Sequence, residues 1–484
     1  MPSPIVDKLK KRSSENRTAF HMPGHKGKNE FLPFDLFSFD ITETDGFDNL
    51  HNPSGIIAES RKLCAETFGA DVSFYLVNGS TSGIMAAVCA LCKDGDKILV
   101  GRNCHKSVYS GIILAGAEPV YITPEKTFFD TFGVVSKEDI KRALSENTDI
   151  KAAIFTSPSY EGFCMDVKGA ADILHKKNIP LIIDEAHGAH FGFSREFPES
   201  ALSLGADIAV QSIHKTLPAL TQCSLLHLKK GIVDIKKVEE TVSMFTSTSP
   251  SYIFMASIDN CQNLLSEKHN VLFKEYADNL KRFYENTKKL KKLKILLKAE
   301  GLEEISAYDM DFGKIICLVE NKNINYVEKI LKKYYNIDVE MKGTNHILFM
   351  TSVCDDRKNF ELLEKALFDI DKNIDPPFSK ENITVNPFPS PVCSMTPKEA
   401  FGAERKKVSF KDSIGLVCAE YVIPYPPGIP LLVPGEVITP SVAECVNACL
   451  ESGIEIIGCE DKRLMKINII TENLIKERRG FRCD

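Results

Sequence analysis

A lysine stands between a histidine and a threonine in residues 211–222, QSIHKTLPALTQ, just after the apolar run Ile208, Ala209, Val210. A charged amine where a buried strand gives way to a turn is costly unless the molecule uses it. Three other stretches carry residues able to work with Lys215. NGSTSG (78–83) puts Gly79, Ser80, Thr81 and Ser82 at a helix start. Free amides, small hydroxyls and the positive helix end there form an anion cradle. A plain Ser/Thr helix cap is the alternative, and the spacing of a P-loop is absent. RNCHKS (102–107) supplies His105, and IIDEAHGAHFG (182–192) ends an Ile-rich run with Asp184. Burial would leave that carboxylate in need of a cationic partner. Asp184, Glu185, His187 and His190 are also alternative metal ligands, but two histidines three apart on a loop make a weak zinc site.

A phosphate cradle, a buried carboxylate, a flat ring and an amine are the four parts of a pyridoxal phosphate site. They anchor the phosphate, keep the pyridine nitrogen protonated, stack on the ring and form the Schiff base. On this reading Lys215 is the Schiff-base residue, and Ser212 and His214 beside it offer further donors to the phosphate.

These residues share one kind of position. The apolar runs VSFYLV (72–77), DKILVG (96–101), EPVYIT (118–123), KAAIFTS (151–157), PLIIDEA (180–186) and ADIAVQS (206–212) alternate with helical segments. That pattern predicts an α/β fold with a mostly parallel sheet covered on both faces. Ligands in such folds bind at the carboxyl ends of the strands, where each stretch above falls. Residues 1–55 read as a short helix and an irregular N-terminal arm, and 56–295 as the large domain. Residues 296–375 read as a small α/β domain, and 376–484 as a C-terminal domain after the proline-rich NPFPSPV. The lysine-rich TKKLKKLK (287–294) reads as the solvated face of a helix.

The 484 residues suggest two or three domains, and 43% hydrophobic with 26% charged residues is a soluble globular composition. A net charge of −6 argues against nucleic-acid binding. No signal peptide is visible, and no run nears the roughly 18 apolar residues of a membrane helix, so a cytoplasmic location is expected. The fifteen cysteines are scattered and read as buried free thiols. Cys89 and Cys92 form a CxxC, but within an apolar helical stretch, where core packing outweighs a redox or zinc role.

HMPGHKG, NGSTSG, RNCHKSV, SPSYEG, DEAHGAHFGF, QSIHKTLPALTQ, STSPSY and YPPGIPLLVPGE occur in this order. Together they resemble the signature of the Orn/Lys/Arg decarboxylase family, over about residues 20–260 and again at 425–440. The resemblance implies a fold type I (aspartate aminotransferase-like) pyridoxal 5'-phosphate enzyme of the short type without the wing domain. It implies phosphate contacts from Ser80, Thr81 and Ser82, with Ser212 and His214 on the same side. His105 would stack on the ring, Ala186 would pack beneath it, Asp184 would pair with its nitrogen, and Lys215 would form the Schiff base. His187 or Lys215 would return the proton to Cα. Thr248 or Ser249 would reach the partner's phosphate, implying a homodimer or higher oligomer with shared active sites. Glu436, Asp48 and Glu161 are the candidates for the substrate's distal cation, and no metal is implied. One departure is visible: Ile213 stands where many relatives have Thr, on a side chain expected to point away from the cofactor.

The implied activity is decarboxylation of a basic amino acid, arginine first and then lysine or ornithine, feeding polyamine synthesis. Few arginines follow residue 300, and none falls in a placeable pocket stretch, which mildly favours decarboxylation over transamination. The alternatives are another fold type I enzyme (an aminotransferase or an aldolase-type lyase), an inactive regulatory paralogue, and a metal hydrolase. The last leaves Lys215 unexplained.

Overall fold

The computed structural model describes residues 4–15, 17–31, 35–128, 131–320, 323–379, 390–425, 428–451 and 453–471. Its centre is a seven-stranded sheet. In chain order the strands are β1 (Val72–Leu76), β2 (Lys97–Gly101), β3 (Glu118–Ile122), β4 (Ile150–Thr156), β5 (Leu181–Asp184), β6 (Ile208–Gln211) and β7 (Ser224–Leu228). In space they run β1-β7-β6-β5-β4-β2-β3. All neighbours are parallel except β7, which is antiparallel to both β1 and β6. The predicted, mostly parallel sheet is therefore present.

Helices cover both faces, so the central strands are apolar on both sides, as in β5, whose four residues are all buried. One face carries the helices Gly79–Leu91, Lys106–Ala115 and Ile235–Met244, with Val88, Val108, Ile112 and Val238 in one apolar cluster. The other carries Lys137–Glu146 and Val167–His175, packed through Ile140, Leu144, Ala170 and Leu174. Register aligns the strand ends: Thr156 is opposite Asp184, and Asp184 opposite Val210. Beneath those ends Glu185 accepts from the Ala201 amide and from Gln211 Nε2, both at 2.7 Å. Gln211 Oε1 meets His227, which in turn meets Ser73. A satisfied buried network of this kind holds β5, β6, β7 and β1 in one register.

A single helix, Tyr252–Thr287, leads out of the large domain. It stops before the lysine-rich stretch, which is a turn and not the helix face expected. The Asp371 carboxylate gathers the amides of Lys291, Lys292 and Leu293 there, replacing the helical ladder. The small domain is an antiparallel sheet that includes Lys314–Leu318 and His346–Met350, with the helices Ile324–Tyr334 and Arg357–Asp371. The N-terminal arm is more regular than expected: Thr18–Phe20 pairs in parallel with Ile337–Val339. Beyond residue 390, Arg405–Ser409 pairs with Lys466–Ile470, beside the helix Pro440–Glu451. No helix among the described residues is long and apolar enough to cross a membrane.

Candidate active site

Lys215 lies on a single helical turn, Ile213–Thr216, directly after β6. Ile213 is buried in the apolar core with Tyr75 and Leu217, which anchors the turn. The arm presses on it as well. A Cβ on Gly24 would come within 2.6 Å of the Leu217 carbonyl, so only glycine allows HMPGHKG this approach. Lys215 is half-buried. Burial lowers its pKa, while Asp184 and Glu340 pull the other way.

Asp184 ends β5 and is 5% exposed. Its carboxylate accepts the Ala186 amide at 3.2 Å, and among the described residues no side chain hydrogen-bonds to it. Burial raises its pKa, partly offset by Lys215. A carboxylate in that position favours a cationic partner. His105 caps the helix Lys106–Ala115, and its Nδ1 accepts from Ser107, which leaves Nε2 with the proton. Burial, with Lys215 and Lys106 nearby, lowers its pKa to about 4. The ring is thus neutral and held by its own cap.

Ser80, Thr81 and Ser82 form the first turn of the helix Gly79–Leu91. Gly79 takes φ +76° there, and Gln222, across the turn, is in the same left-handed region at φ 81°. Ser212 Oγ donates to Ser80 Oγ at 2.8 Å, so the two hydroxyl-bearing loops meet. His214 Nδ1 donates to the Cys223 carbonyl at 2.8 Å, and burial lowers its pKa to about 4. Its Nε2 is therefore a lone pair in the neutral ring, and it becomes a donor to phosphate only by taking up a proton. Thr248 and Ser249 are exposed, on the turn before Tyr252–Thr287.

His187 is buried between two lysines. Its Nε2 is 3.1 Å from Lys215 Nζ and its Nδ1 is 2.9 Å from Lys314 Nζ. Burial and then both lysines push its pKa well below the usual value. Lys314 comes from the small domain and was not anticipated. Nor was Tyr160, whose ring centroid is 4.8 Å from that of His187 and whose hydroxyl donates to Glu340. Glu340 also accepts the Met22 amide at 3.0 Å. His190 turns to Asp311, 3.2 Å away. With His187 held by lysines and Glu185 by Ala201 and Gln211, the four alternative metal ligands diverge. No three His, Cys, Asp or Glu side chains among the described residues form a metal-binding group. A lysine opening the apolar run of FGKIICLV was the available signal for Lys314, since burying it is costly.

Two of the three carboxylates expected at the substrate's distal end are engaged otherwise. Asp48 caps the helix Ile56–Phe68: it accepts the amides of Asn49, Ser54, Gly55, Ile57 and Ala58. Burial opposes its ionisation, but these amides bring its pKa to about 2. Glu436 pairs with Arg102 at 3.1 Å, and both are buried. Glu161 differs in that no cation among the described residues forms an ion pair with it; Ser159 donates to its Oε2 at 3.1 Å, and its Oε1, like that of Glu436, is buried with no hydrogen-bond partner. Burial raises its pKa to about 7.

The donor set fits pyridoxal phosphate. Paired hydroxyls stand at a helix start, a buried carboxylate lacks a side-chain donor, and a half-buried amine and a neutral ring complete the four parts. The comparisons agree. A family model described as "Orn/Lys/Arg decarboxylase, major domain" matches residues 3–307, and one for the C-terminal domain of the same family matches 381–452. Arginine decarboxylase of Bacillus subtilis is 35% identical, covering 97% of this chain and 98% of that one. Arginine decarboxylase of Bacillus anthracis is also 35% identical, over 97% of each chain. Among solved structures, the lysine decarboxylase of Francisella novicida superposes with a TM-score of 0.77 at 22% identity, covering 97% of this chain and 81% of that one. An alanine–glyoxylate aminotransferase from Nostoc gives 0.57 at 13% identity, covering 73% of this chain and 95% of that one. The fold is that of the fold type I pyridoxal phosphate enzymes, and the chain belongs to the Orn/Lys/Arg decarboxylase family.

Proposed function

We propose that this protein uses pyridoxal phosphate to decarboxylate arginine to its amine, with lysine and ornithine as the next candidate substrates. The observation that carries the reading is the half-buried Lys215 amine directly after β6, 3.1 Å from His187 and influenced by the Asp184 charge. Arginine is placed first because the relatives that match over 97% of the chain are named arginine decarboxylases. When bound, the cofactor supplies an aldehyde for a covalent link to an amine and a protonated ring that accepts the electrons left on Cα.

The chain's residues do the rest. Ser80, Thr81, Ser82 and Ser212 bind the phosphate at the positive end of the helix, joined by His214 once protonated. His105 and Ala186 would hold the ring, His105 by stacking and Ala186 by packing. Asp184 keeps the ring nitrogen protonated through a charge pair in a pocket of low dielectric. Lys215 supplies the amine. His187, neutral and beside it, holds the proton for Cα. Glu161, buried and without a cationic partner among the described residues, is the carboxylate best suited to a substrate cation. Thr248 and Ser249 reach across to the partner's phosphate in a homodimer or higher oligomer. The setting is cytoplasmic, and the amine feeds polyamine synthesis.

The test offers arginine, lysine and ornithine in parallel to purified protein with added pyridoxal phosphate, measuring carbon dioxide and amine together. Matched release from arginine supports the reading. Cofactor binding without carbon dioxide moves the aminotransferase or lyase alternative ahead.

A further inference from the structure

We propose that Ser352 is a positioning residue that holds the turn carrying Lys215 in place through the backbone of Gly24. The inference rests on the role proposed for Lys215. The turn Ile213–Thr216 is only four residues long, and a single helical turn does not hold its own shape in water. Its last carbonyls have no partner within the helix. One of them, that of His214, accepts the Gly24 amide at 2.8 Å, so the arm supplies a bond that the turn cannot make for itself. The contact is close-packed as well. Besides meeting the Leu217 carbonyl, a Cβ on Gly24 would come within 2.7 Å of the Leu217 nitrogen and 2.9 Å of the Thr216 carbonyl carbon.

The other side of Gly24 belongs to the small domain. Its carbonyl accepts Ser352 Oγ at 2.6 Å, from a residue just past the strand His346–Met350 that is 1% exposed. The neighbours fix the direction of that bond. The Cys354 amide nitrogen lies 3.1 Å from the same oxygen and can only donate, while a carbonyl can only accept. The hydroxyl proton of Ser352 therefore goes to Gly24. The Ser352 amide in turn donates to Asp355 Oδ2 at 2.9 Å, and Lys26 Nζ is 3.7 Å from that oxygen. Lys26 also donates to the carbonyls of His21 at 2.9 Å and Met350 at 2.7 Å. This lysine thus closes the segment 21–26 on itself and ties it to the strand end that presents Ser352.

Gly24 is therefore hydrogen-bonded on both sides, to the large domain through its N–H and to the small domain through its carbonyl. Elsewhere along the arm, Thr18–Phe20 pairs with Ile337–Val339, the Met22 amide donates to Glu340, and Lys28 pairs with Asp356 at 3.1 Å. All of these partners lie in the small domain, so the arm is fixed there on either side of Gly24. What Ser352 adds is the position of the residue that meets the turn. Ile213 and Leu217 anchor the turn in the apolar core, and Gly24 sets the backbone from His214 to Leu217, within which Lys215 stands. Misplacing a reacting group by about 1 Å can cost about 100-fold in rate, so a loosened turn reads out in how readily Lys215 reacts.

The test is hydrogen–deuterium exchange of the full chain without cofactor, read by mass spectrometry on peptides covering 211–218 and, in the neighbouring strand β5, 180–186. Ser352→Ala removes the donor and Ser352→Thr keeps it. Gly24→Ala attacks the same contact from the other side and serves if Ser352→Ala does not fold. The amides of 211–218 are expected to exchange about tenfold faster in Ser352→Ala and in Gly24→Ala. Those of 180–186 are expected to stay unchanged, and Ser352→Thr to match the parent. Unchanged exchange at 211–218, or an equal rise in both peptides, overturns the proposal, and so does a Ser352→Thr protein that exchanges as fast as Ser352→Ala. The second readout is the rate at which the apoprotein takes up pyridoxal phosphate, followed by visible absorbance. It is expected to fall about tenfold in Ser352→Ala and to recover in Ser352→Thr. A Ser352→Ala rate equal to the parent's overturns the proposal. No uptake by the parent would instead sink the cofactor reading, while the exchange would still decide the role of Ser352.

Discussion

The guanidinium of Arg102, on the residue after β2, lies 3.1 Å from the Glu436 carboxylate of the C-terminal segment, with both side chains buried. Arg102 also donates to the Pro430 carbonyl at 2.6 Å and to the Tyr109 hydroxyl at 2.9 Å. Glu436 accepts the Val433 amide at 2.9 Å. His105 is three residues further on, and a Cβ on Gly428 would approach its ring to 3.7 Å. The pair thus holds the segment 428–436 against the residue expected to stack on the cofactor.

Breaking a buried pair leaves a lone charge, which costs about 3–5 kcal/mol. Arg102→Met and Glu436→Leu should each destabilise by that order in urea unfolding. The double variant should lose clearly less than the sum, because neither charge remains stranded. Additive losses would mean that the two groups do not act as a pair.

Asp184→Asn keeps the shape of the β5 end and removes the charge. Turnover should fall by about 100-fold or more, with measurable cofactor binding retained. Near-normal turnover would show that another group pairs with the ring nitrogen.

Glu161→Gln addresses the substrate's distal end. Loss of a charge-assisted hydrogen bond should raise KM for arginine by about 10- to 100-fold, with kcat much less affected. Unchanged KM would place the distal cation elsewhere.

Stability should peak in pH. Burial lowers His105 and His214 to about 4 and His227 to about 3, from an ordinary 6.5. The folded state keeps them neutral while the unfolded chain protonates them. Their contribution is complete above about pH 6.5 and is lost as pH falls towards 4. Burial raises Glu161 to about 7 and Glu185 to about 8, so these act oppositely: their contribution is present below about 4.5 and is lost as pH rises towards 8. Asp184, Asp355 and Glu364 are raised as well, but on the acid side His25 and His187 join the three histidines, and carboxylates held low, such as Asp48, Asp311 and Asp356, act in the same direction, so the groups that favour the folded state as pH rises are the more numerous. The urea midpoint should therefore rise from pH 4 to about 6.5 and decline beyond it. A midpoint that falls steadily from pH 4 upward would contradict these protonation states.

The large domain was legible because its strands are short apolar runs between polar turns, and because the side chains proposed for the site fall at their ends. Lys215, Asp184, His105 and the Ser80–Ser82 turn could each be placed from local pattern alone. What was not legible comes from distance in the chain. Lys314 and Glu340 reach His187 and Tyr160 from a domain more than a hundred residues later, and no spacing rule encodes that meeting. Asp48 and Glu436 illustrate the converse: a carboxylate in a suggestive stretch was already committed, one to five amides and one to a buried arginine. The argument that singled out Lys215, a costly charge at the edge of an apolar run, applies equally to Lys314.

The most direct measurement is to reduce the protein with borohydride in the presence of pyridoxal phosphate, digest it and locate the added mass. The pyridoxyl group is expected on the peptide containing Lys215, and no fixed label is expected in Lys215→Ala. Label on Lys314, or on no lysine, would contradict the assignment of Lys215 as the amine that holds the cofactor.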